Sequence, residues 1–215
     1  MKTIDVLDKG FVRLVDSMGS DLSVVNAARI SYNRASEEMN DKDLKLLKYL
    51  WDNKHTSPFR HAFVQIHIKA PLFVLRQWQK HQVGCSWNEM SGRYVQMKEE
   101  FYNPLIWRKQ HNSNKQSSSG QIDDQMYADD EYYDAITCCV DVYRNLLNAG
   151  VAREQARLVL PVSLYSECIW TCSLQALMHF LKERMHQSAQ LEIQCYARAV
   201  LDLTSSLFHH CLQLK

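Results

Sequence analysis

The sequence lacks an excess of charge of either sign. Lys and Arg total 25 among its 215 residues, Asp and Glu total 24, and the formal net charge is +1. A chain so near neutrality has no overall field to draw it to nucleic acid or to an anionic membrane. We therefore expect no nucleic-acid partner, and any anion site must be built locally.

The sequence also lacks a long apolar run. No stretch approaches the roughly 18 apolar residues that a membrane-spanning helix needs. The N-terminal stretch, MKTIDVLDKGFVRLVD, contains no apolar segment of the kind found in secretory signal peptides. These absences predict a cytoplasmic protein without a membrane partner.

No C-x-x-C pair occurs among the seven cysteines. They are Cys85, Cys138, Cys139, Cys168, Cys172, Cys195 and Cys211. An odd number without paired spacing is typical of reduced thiols in a core, because a free cysteine behaves as a small buried hydrophobe. Cys168 and Cys172 would share one helix face, but no nearby histidine completes a set of metal ligands. We expect no metal site.

The composition and the periodicity indicate one α+β domain. Hydrophobic residues make up 46% of the chain and charged residues 23%, as in ordinary globular proteins. Asp41 to Trp51 has the apolar spacing of a helix with Asp41 as its N-cap, and Ala62 to Lys69 alternates like a strand. Helices are predicted for Ser166 to Arg184 and for Ala189 to Leu212.

We therefore predict a single domain spanning residues 1–215. Its central, mainly antiparallel sheet is expected in the N-terminal half, and its C-terminal half is expected to be helical. The polar stretch 109–130 is predicted to be a surface loop that leaves the domain and returns to it.

Polar side chains are concentrated between Arg76 and Tyr94, in RQWQKHQVGCSWNEMSGRY. A helix starting at Pro71 would place Arg76 and Lys80 on one stripe, and a loop at 85–87 would lead into a second polar turn. Lys and Arg suit phosphate, and Gln and Asn amides suit the edge of a heterocycle. Neither GxGxxG nor GxxxxGK[ST] is present. The pattern favours an anion and ring site, with a solvated helix face as the open alternative.

The same stretch resembles the signature of the flavin-dependent thymidylate synthases, which is R-H-R, seven residues, then Ser and, two residues on, Arg-Tyr. Other blocks resemble the family in the same order along most of the chain. These blocks are NAARIS at 26–31, HTSPF at 55–59, GVAREQARLVLP at 150–161, and Trp170 to Arg184 followed by Ser188-Ala189-Gln190 and Glu192. Any one block is weak evidence, but the ordered combination is highly specific.

The resemblance implies a reaction and a set of ligands. Members of this family methylate the uracil ring of dUMP at C5 to give dTMP, with methylenetetrahydrofolate as the source of the carbon. Reduced FAD supplies the hydride, and NADPH re-reduces the flavin. Members are homotetramers whose sites are built from several subunits.

The resemblance also assigns candidate site residues. The positions matched to flavin contacts are Ser57, Lys80, His81, Gln82, Glu89, Ser173, Gln175 and His179. The positions matched to dUMP contacts are Gln77, Lys80, Glu89, Met90, Ser91, Gly92, Arg93, Arg157 and Arg184. Arg184 is the catalytic candidate, since a fixed cation beside the pyrimidine would stabilise negative charge developing on the ring.

Several matched positions depart from the family pattern. Lys80-His81-Gln82 stands where R-H-R is expected, and eight residues rather than seven separate Gln82 from Ser91. Flavin-contacting positions that are commonly Asn, Arg and Asn are here Ser173, Gln175 and His179. These departures motivate an alternative hypothesis, a protein on the same scaffold that binds nucleotide and flavin but has weakened turnover.

Overall fold

The computed structural model describes residues 2–214, and seven strands and seven helices lie within that range. The strands are β1 Thr3–Val6, β2 Gly10–Met18, β3 Phe63–Pro71, β4 Cys85–Glu89, β5 Arg108–Gln110, β6 Ser118–Gln121 and β7 Tyr165–Ser173. The helices are α1 Asp21–Arg29, α2 Asp41–Asp52, α3 Leu72–Trp78, α4 Gln125–Asn148, α5 Arg153–Ala156, α6 Leu174–Arg184 and α7 Leu191–Thr204. No helix in this range combines the length and the apolarity needed to cross a membrane.

The main sheet has the strand order β1-β2-β3-β7-β4, and every neighbouring pair is antiparallel. Buried side chains of β3 and β7, among them Ile66, Ile68 and Trp170, face the helical layer. Trp78 of α3 stacks on Phe180 of α6, with ring centroids 4.6 Å apart. The predictions of an α+β fold and of an antiparallel sheet are confirmed.

The prediction of one helix from Ser166 to Arg184 is wrong for its first half, which is β7. The segment pairs with β3 on one edge and β4 on the other, and Cys168, Trp170 and Cys172 face the core. A mostly apolar segment is equally compatible with a buried strand and a buried helix, so the periodicity of its residues could not distinguish the two structures. The sheet therefore is not confined to the N-terminal half, because β7 is one of its interior strands, between β3 and β4. The other predicted helix, 189–212, is α7, which ends earlier than predicted.

The predicted polar loop at 109–130 is also structured. Arg108–Gln110 and Ser118–Gln121 pair as a small antiparallel hairpin, and α4 begins at Gln125. Asp124 caps that helix by accepting a hydrogen bond from the backbone N–H of Tyr127 at 2.9 Å. Most of α4 is exposed in the chain, so its polar first turns are no obstacle to a helix.

Two helix boundaries differ from prediction in smaller ways. Asn40, not Asp41, caps α2, because its side chain accepts from the N–H groups of Lys42 and Asp43 while Asp43 bonds back to Asn40. Helix α3 ends at Trp78, so Lys80 and His81 lie in the turn that follows it.

The stretch 85–89, predicted to be loop followed by a polar turn, is the edge strand β4. Trp87 stacks on Trp170 across the β4–β7 pair, with ring centroids 5.6 Å apart. The strand starts directly after Gly84, whose φ of +74° favours glycine. A Cβ at Gly84 would lie 2.7 Å from Ser173 Oγ, so the close approach to β7 also requires glycine.

Candidate active site

A cavity of about 320 Å³ opens between the turn after α3 and one face of α6. It is lined by Lys80, His81, Gln82, Val83, Ala176, His179, Glu183 and Arg184. Five of these are sequence-predicted site residues that lie in two segments far apart in the chain: Lys80, His81, Gln82, His179 and Arg184. Antiparallel pairing of β4 with β7 brings the two segments together, because the turn leads into β4 and α6 continues from β7.

Arg184, the last residue of α6, is held in two places. Its Nε donates to His81 Nε2 at 2.9 Å, and its Nη2 donates to the backbone oxygen of Gln77 at 3.2 Å. The side chain of Gln77 in turn donates to the side chain of Gln190. The guanidinium group therefore has a fixed position, and it keeps further N–H donors for a ligand.

His81 is neutral at physiological pH. Burial, the neighbouring cation of Arg184 and the ring of His179 together lower the pKa of His81 to about 4, against the opposing effect of Glu183. A neutral ring that accepts a bond at Nε2 carries its proton on Nδ1. His81 thus orients Arg184 without adding a competing positive charge.

Glu89 ends β4 with both carboxylate oxygens bonded. Gln79 Nε2 donates to one at 2.9 Å, and Ser166 Oγ donates to the other at 2.8 Å. The backbone N–H of Met90 donates to the oxygen of Glu167 at 2.8 Å and so extends the β4–β7 pairing by one residue. The carboxylate of Glu89 is therefore fixed from two elements at the end of the strand.

A second cluster lies beyond β4. Gly92 is buried, and a Cβ there would lie 2.9 Å from Met97 Sδ and 3.1 Å from Arg157 Cδ, so the side chains of Met97 and Arg157 pack closely on this backbone. Ser91 Oγ accepts from the N–H of Arg93 at 3.3 Å. Arg93 and Arg157 are both exposed and flank Glu154, which accepts from Arg93 Nε at 3.2 Å through its side chain and from Arg157 Nε at 3.4 Å through its backbone.

The predicted residues thus form two groups rather than one. The Arg184 cluster consists of Gln77, Lys80, His81, Gln82, His179 and Arg184. The Arg157 cluster consists of Ser91, Gly92, Arg93 and Arg157. Within residues 2–214, no hydrogen bond or ion pair joins the two clusters.

Comparisons with known proteins identify the family of the chain. The family model described as "Thymidylate synthase complementing protein" matches residues 13–208. A flavin-dependent thymidylate synthase of Thermus thermophilus is 48% identical over 207 residues, which cover 94% of this chain and 73% of that protein. One of Thermosipho africanus is 44% identical over 200 residues, which cover 92% of this chain and 87% of that protein.

The chain belongs to the family of the flavin-dependent thymidylate synthases. The resemblance inferred from the ordered sequence blocks is therefore confirmed. Among solved structures, a UMP/dUMP methylase of Streptomyces cacaoi bound with 5-Br dUMP superposes with a TM-score of 0.87 at 34% identity, covering 98% of this chain and 96% of that one. A second structure of that methylase, bound with 5-Br UMP, gives a TM-score of 0.86 at 33% identity.

The other positions matched to the family's flavin contacts lie near the N-terminal end of α6. Ser173 is buried and caps the helix, with its Oγ accepting from the N–H of Ala176 at 3.3 Å. Gln175 is half-buried in the first turn, and the exposed Ser57 lies on a short 3-10 turn, Ser57–Arg60, that packs against α6. Helix α6 starts at Leu174, directly after Ser173.

Residues that sequence reasoning missed act as supports. Glu183 lines the cavity, Glu154 pairs with Arg93, and Gln79 and Ser166 hold Glu89. Glu183 and Gln79 directly precede matched residues, which was the only local signal. The partnership of Ser166 with Glu89 spans 77 positions and left no trace in the sequence.

Proposed function

We propose that the chain's two clusters carry out the family's reaction, the reductive methylation of dUMP to dTMP by an FAD-dependent methyltransferase. Membership of the family is shown by the comparisons, and relatives named as flavin-dependent thymidylate synthases match over most of the chain. The observation that carries the assignment of roles is Arg184, a guanidinium group fixed at the edge of a cavity by His81 and by the Gln77 carbonyl.

The donor set around the cavity fits a flavin. Lys80, Gln82 and His179 line the cavity with polar groups that can donate hydrogen bonds, and the apolar atoms of Val83 and Ala176 offer a surface for a ring. A volume of about 320 Å³ lies at the small end of the range for ligand pockets, which suits part of FAD rather than the whole cofactor. Reduced FAD bound here supplies the hydride, and we propose Ser57, Glu89, Ser173 and Gln175 as its further contacts.

The Arg157 cluster suits the phosphate of dUMP. Arg93 and Arg157 provide two exposed guanidinium groups. Ser91 provides a hydroxyl in the backbone turn that contains Gly92. One guanidinium group can donate two parallel hydrogen bonds to two phosphate oxygens, so it fixes the orientation of the phosphate as well as balancing its charge. In this proposal Gln77, Lys80, Glu89 and Met90 complete the nucleotide contacts.

Arg184 would act on the uracil ring. A fixed cation at the pyrimidine edge stabilises the negative charge that develops on the ring and so makes C5 a better carbon nucleophile. His81 accepts from Arg184 and, being neutral, leaves that charge undiminished. In this proposal methylenetetrahydrofolate donates the carbon and NADPH re-reduces the flavin, as the family resemblance implies.

Within residues 2–214 no hydrogen bond or ion pair joins the two clusters, which is in keeping with a site shared between subunits, as in the homotetramer that the family resemblance implies. Large apolar side chains beside both clusters are exposed in the single chain: Val83 at 91%, Leu158 at 80% and Tyr94 at 75%. Exposed apolar surface next to a polar site is typical of an interface. We further propose that residues 1–215 form one catalytic domain and that the protein is cytoplasmic, in keeping with seven unpaired cysteines.

A visible spectrum recorded without oxygen tests the flavin assignment. We expect the purified protein, after incubation with FAD, to show a flavin spectrum that bleaches on addition of NADPH. Formation of dTMP from dUMP and methylenetetrahydrofolate then tests the reaction. Failure to hold FAD would contradict the proposal, because the cavity would then not be a flavin site.

The competing hypothesis is a binding protein on the same scaffold. It predicts flavin and dUMP binding without any dTMP formation in the presence of reductant. The comparisons do not favour it, since relatives at 38–48% identity are named as synthases. The positions that motivated it are Gln82, Ser173, Gln175 and His179. Gln82 and His179 line the cavity with polar groups and Ser173 caps α6, so these three positions still carry polar side chains.

A further inference from the structure

Cys85 and Cys172 are directly opposite each other on the paired strands β4 and β7. Opposite residues of an antiparallel pair direct their side chains to the same face of the sheet. The Sγ of Cys85 donates to the backbone oxygen of Val83 at 3.8 Å, and the Cys172 thiol is the main influence on the pKa of Cys85. Cys172 is buried and Cys85 is half-buried, so only one of the pair meets solvent.

The hydrogen bonds on either side show which type of pair this is. Ser173 donates its N–H to the oxygen of Gly84 at 2.9 Å, and Met90 donates to that of Glu167 at 2.8 Å. Hydrogen-bonded pairs alternate along such a ladder, so Cys85 and Cys172 occupy a non-hydrogen-bonded position. Cα atoms at these positions are about 4.5 Å apart, within the range that a disulfide can span.

The thiols are also chemically unequal. The neighbouring Cys172 thiol is the main cause that lowers the pKa of Cys85 to about 7 against the opposing effect of burial, so part of the Cys85 thiol is ionised at neutral pH. Burial keeps the pKa of Cys172 well above its ordinary value. An ionised, partly accessible thiol beside a second thiol is the arrangement of a redox-sensitive pair.

The remaining cysteines do not share this arrangement. Cys168 also faces the core from β7, but its opposite residue on β4 is Glu89. Cys138 is exposed on α4, and burial raises the pKa of Cys211 above its ordinary value. Cys85 is thus distinguished by its partner as well as by its pKa.

We propose that Cys85 and Cys172 form a reversible intramolecular disulfide when the protein meets a peroxide. The Cys85 thiolate attacks one oxygen of hydrogen peroxide, the O–O bond breaks, and the departing hydroxide takes up a proton to leave as water. The sulfur of Cys172 then attacks the resulting sulfenic acid, its proton leaves with the displaced hydroxyl as a second water, and the S–S bond forms. One peroxide is reduced by two electrons, and two thiols are oxidised by the same two.

The bridge would fasten the exposed start of an edge strand. Strand β4 is hydrogen-bonded in the sheet only to β7, and Cys85 follows the turn that supplies Lys80, Gln82 and Val83 to the cavity. A covalent bond at this point would reduce the number of conformations that the turn can adopt. The disulfide itself does not depend on the proposed function, whereas any effect on flavin binding does.

Treatment of the full-length protein with hydrogen peroxide, followed by alkylation and peptide mapping, tests the proposal. We expect the loss of two alkylatable thiols per chain, one cross-linked peptide pair containing Cys85 and Cys172, and recovery of both thiols with dithiothreitol. Cys85→Ser should abolish the cross-link, and Cys138→Ser, a change at an exposed cysteine, should leave it intact.

Two outcomes would overturn the proposal. One is oxidation of Cys138 or another cysteine while Cys85 and Cys172 remain alkylatable. The other is a Cys85 that stops at sulfenic or sulfinic acid without a bridge to Cys172. Because the peptide map reads the bond itself, a wild-type protein that lacks synthase activity but forms the bridge contradicts the proposed function and not the disulfide.

Discussion

Arg184 is restrained by one imidazole nitrogen and one backbone oxygen. Neither partner carries a negative charge, so the guanidinium keeps its full electrostatic effect on a ligand. Catalytic groups gain most when they are aimed at developing charge before the reaction begins. The local geometry therefore favours Arg184 as the residue that polarises the pyrimidine.

Replacing Arg184 tests this role. We expect Arg184→Ala to lower kcat for dTMP formation about 100-fold or more, the usual cost of removing one preorganised donor. Lys182→Ala, which shortens an exposed cationic side chain on the same helix, serves as the control and should retain activity. Equal activity of the two variants would remove Arg184 from the mechanism.

His81 makes the stability of the protein depend on pH. Its pKa is about 4 in the folded state, against 6.5 for an ordinary histidine. Between these values the unfolded chain binds a proton that the folded chain does not, so the free energy of unfolding falls as the pH is lowered from about 6.5 to about 4. Above that window the residue has no such effect.

His81→Gln should remove this part of the acid sensitivity, because glutamine stays neutral and its side-chain oxygen can still accept from Arg184. Urea midpoints at about pH 7.5 and about pH 5, on either side of the ordinary histidine pKa, measure the difference at one protein concentration. We expect wild type to lose more stability than the variant on acidification. The same loss in both proteins would show that His81 is not the group responsible.

At the scale of elements, the site depends on the junction between β7 and α6. Ser173 is the last residue of the strand, the N-cap of the helix and a neighbour of Gly84. The pairing of the strand with β4 holds the turn that carries Lys80 to Val83 near α6, and the helix carries His179 and Arg184. A change at this junction therefore affects both sides of the cavity.

Loss of the Ser173 cap of α6 should measurably lower the stability of the folded protein. Ser173→Ala leaves the N–H of Ala176 without its side-chain acceptor, and we expect the free energy of unfolding to fall by about 1 kcal/mol. Ser206→Ala, at an exposed serine beyond the end of α7, is the matched control and should change it by less than about 0.5 kcal/mol. Chemical denaturation of the three proteins compares the two effects, and an unchanged Ser173→Ala would argue against a capping role.

At the scale of the whole molecule, the two clusters raise the question of how one dUMP reaches both. No hydrogen bond or ion pair joins them within residues 2–214, and the exposed apolar side chains of Val83, Tyr94 and Leu158 are in or next in sequence to them. An assembly that places the Arg157 cluster of one subunit against the Arg184 cluster of another would bring both clusters to one dUMP and would also cover the exposed apolar side chains. Each site would then be complete only in the oligomer.

Complementation between defective chains tests shared sites. We expect Arg184→Ala and Arg157→Ala each to be nearly inactive alone, and their co-expressed mixture to regain turnover. Recovery follows because some sites then combine an intact Arg184 with an intact Arg157. The control pair, Arg93→Ala with Arg157→Ala, has both lesions in one cluster and should not recover. Absence of recovery in the first pair would place each site within a single chain.

Local sequence information determined the family and most of the cavity's residues. The ordered blocks, with Lys80-His81-Gln82 and Arg184 among them, were sufficient because motif residues keep their identity whatever fold surrounds them. Helix α2 and strand β3 were also predictable, since their apolar positions repeat at a period set by the backbone itself. The family comparison confirmed what those residues implied.

Only the tertiary structure decided which segments meet. In the structure, Tyr165–Ser173 is an interior strand of the sheet rather than a helix. Arg184 has a neutral histidine partner 103 positions away, and Cys85 lies opposite Cys172. The physical reason is that pairing between strands and contacts across the core depend on partners distant in the chain. A local pattern records a residue's own preference and not the surface that finally covers it.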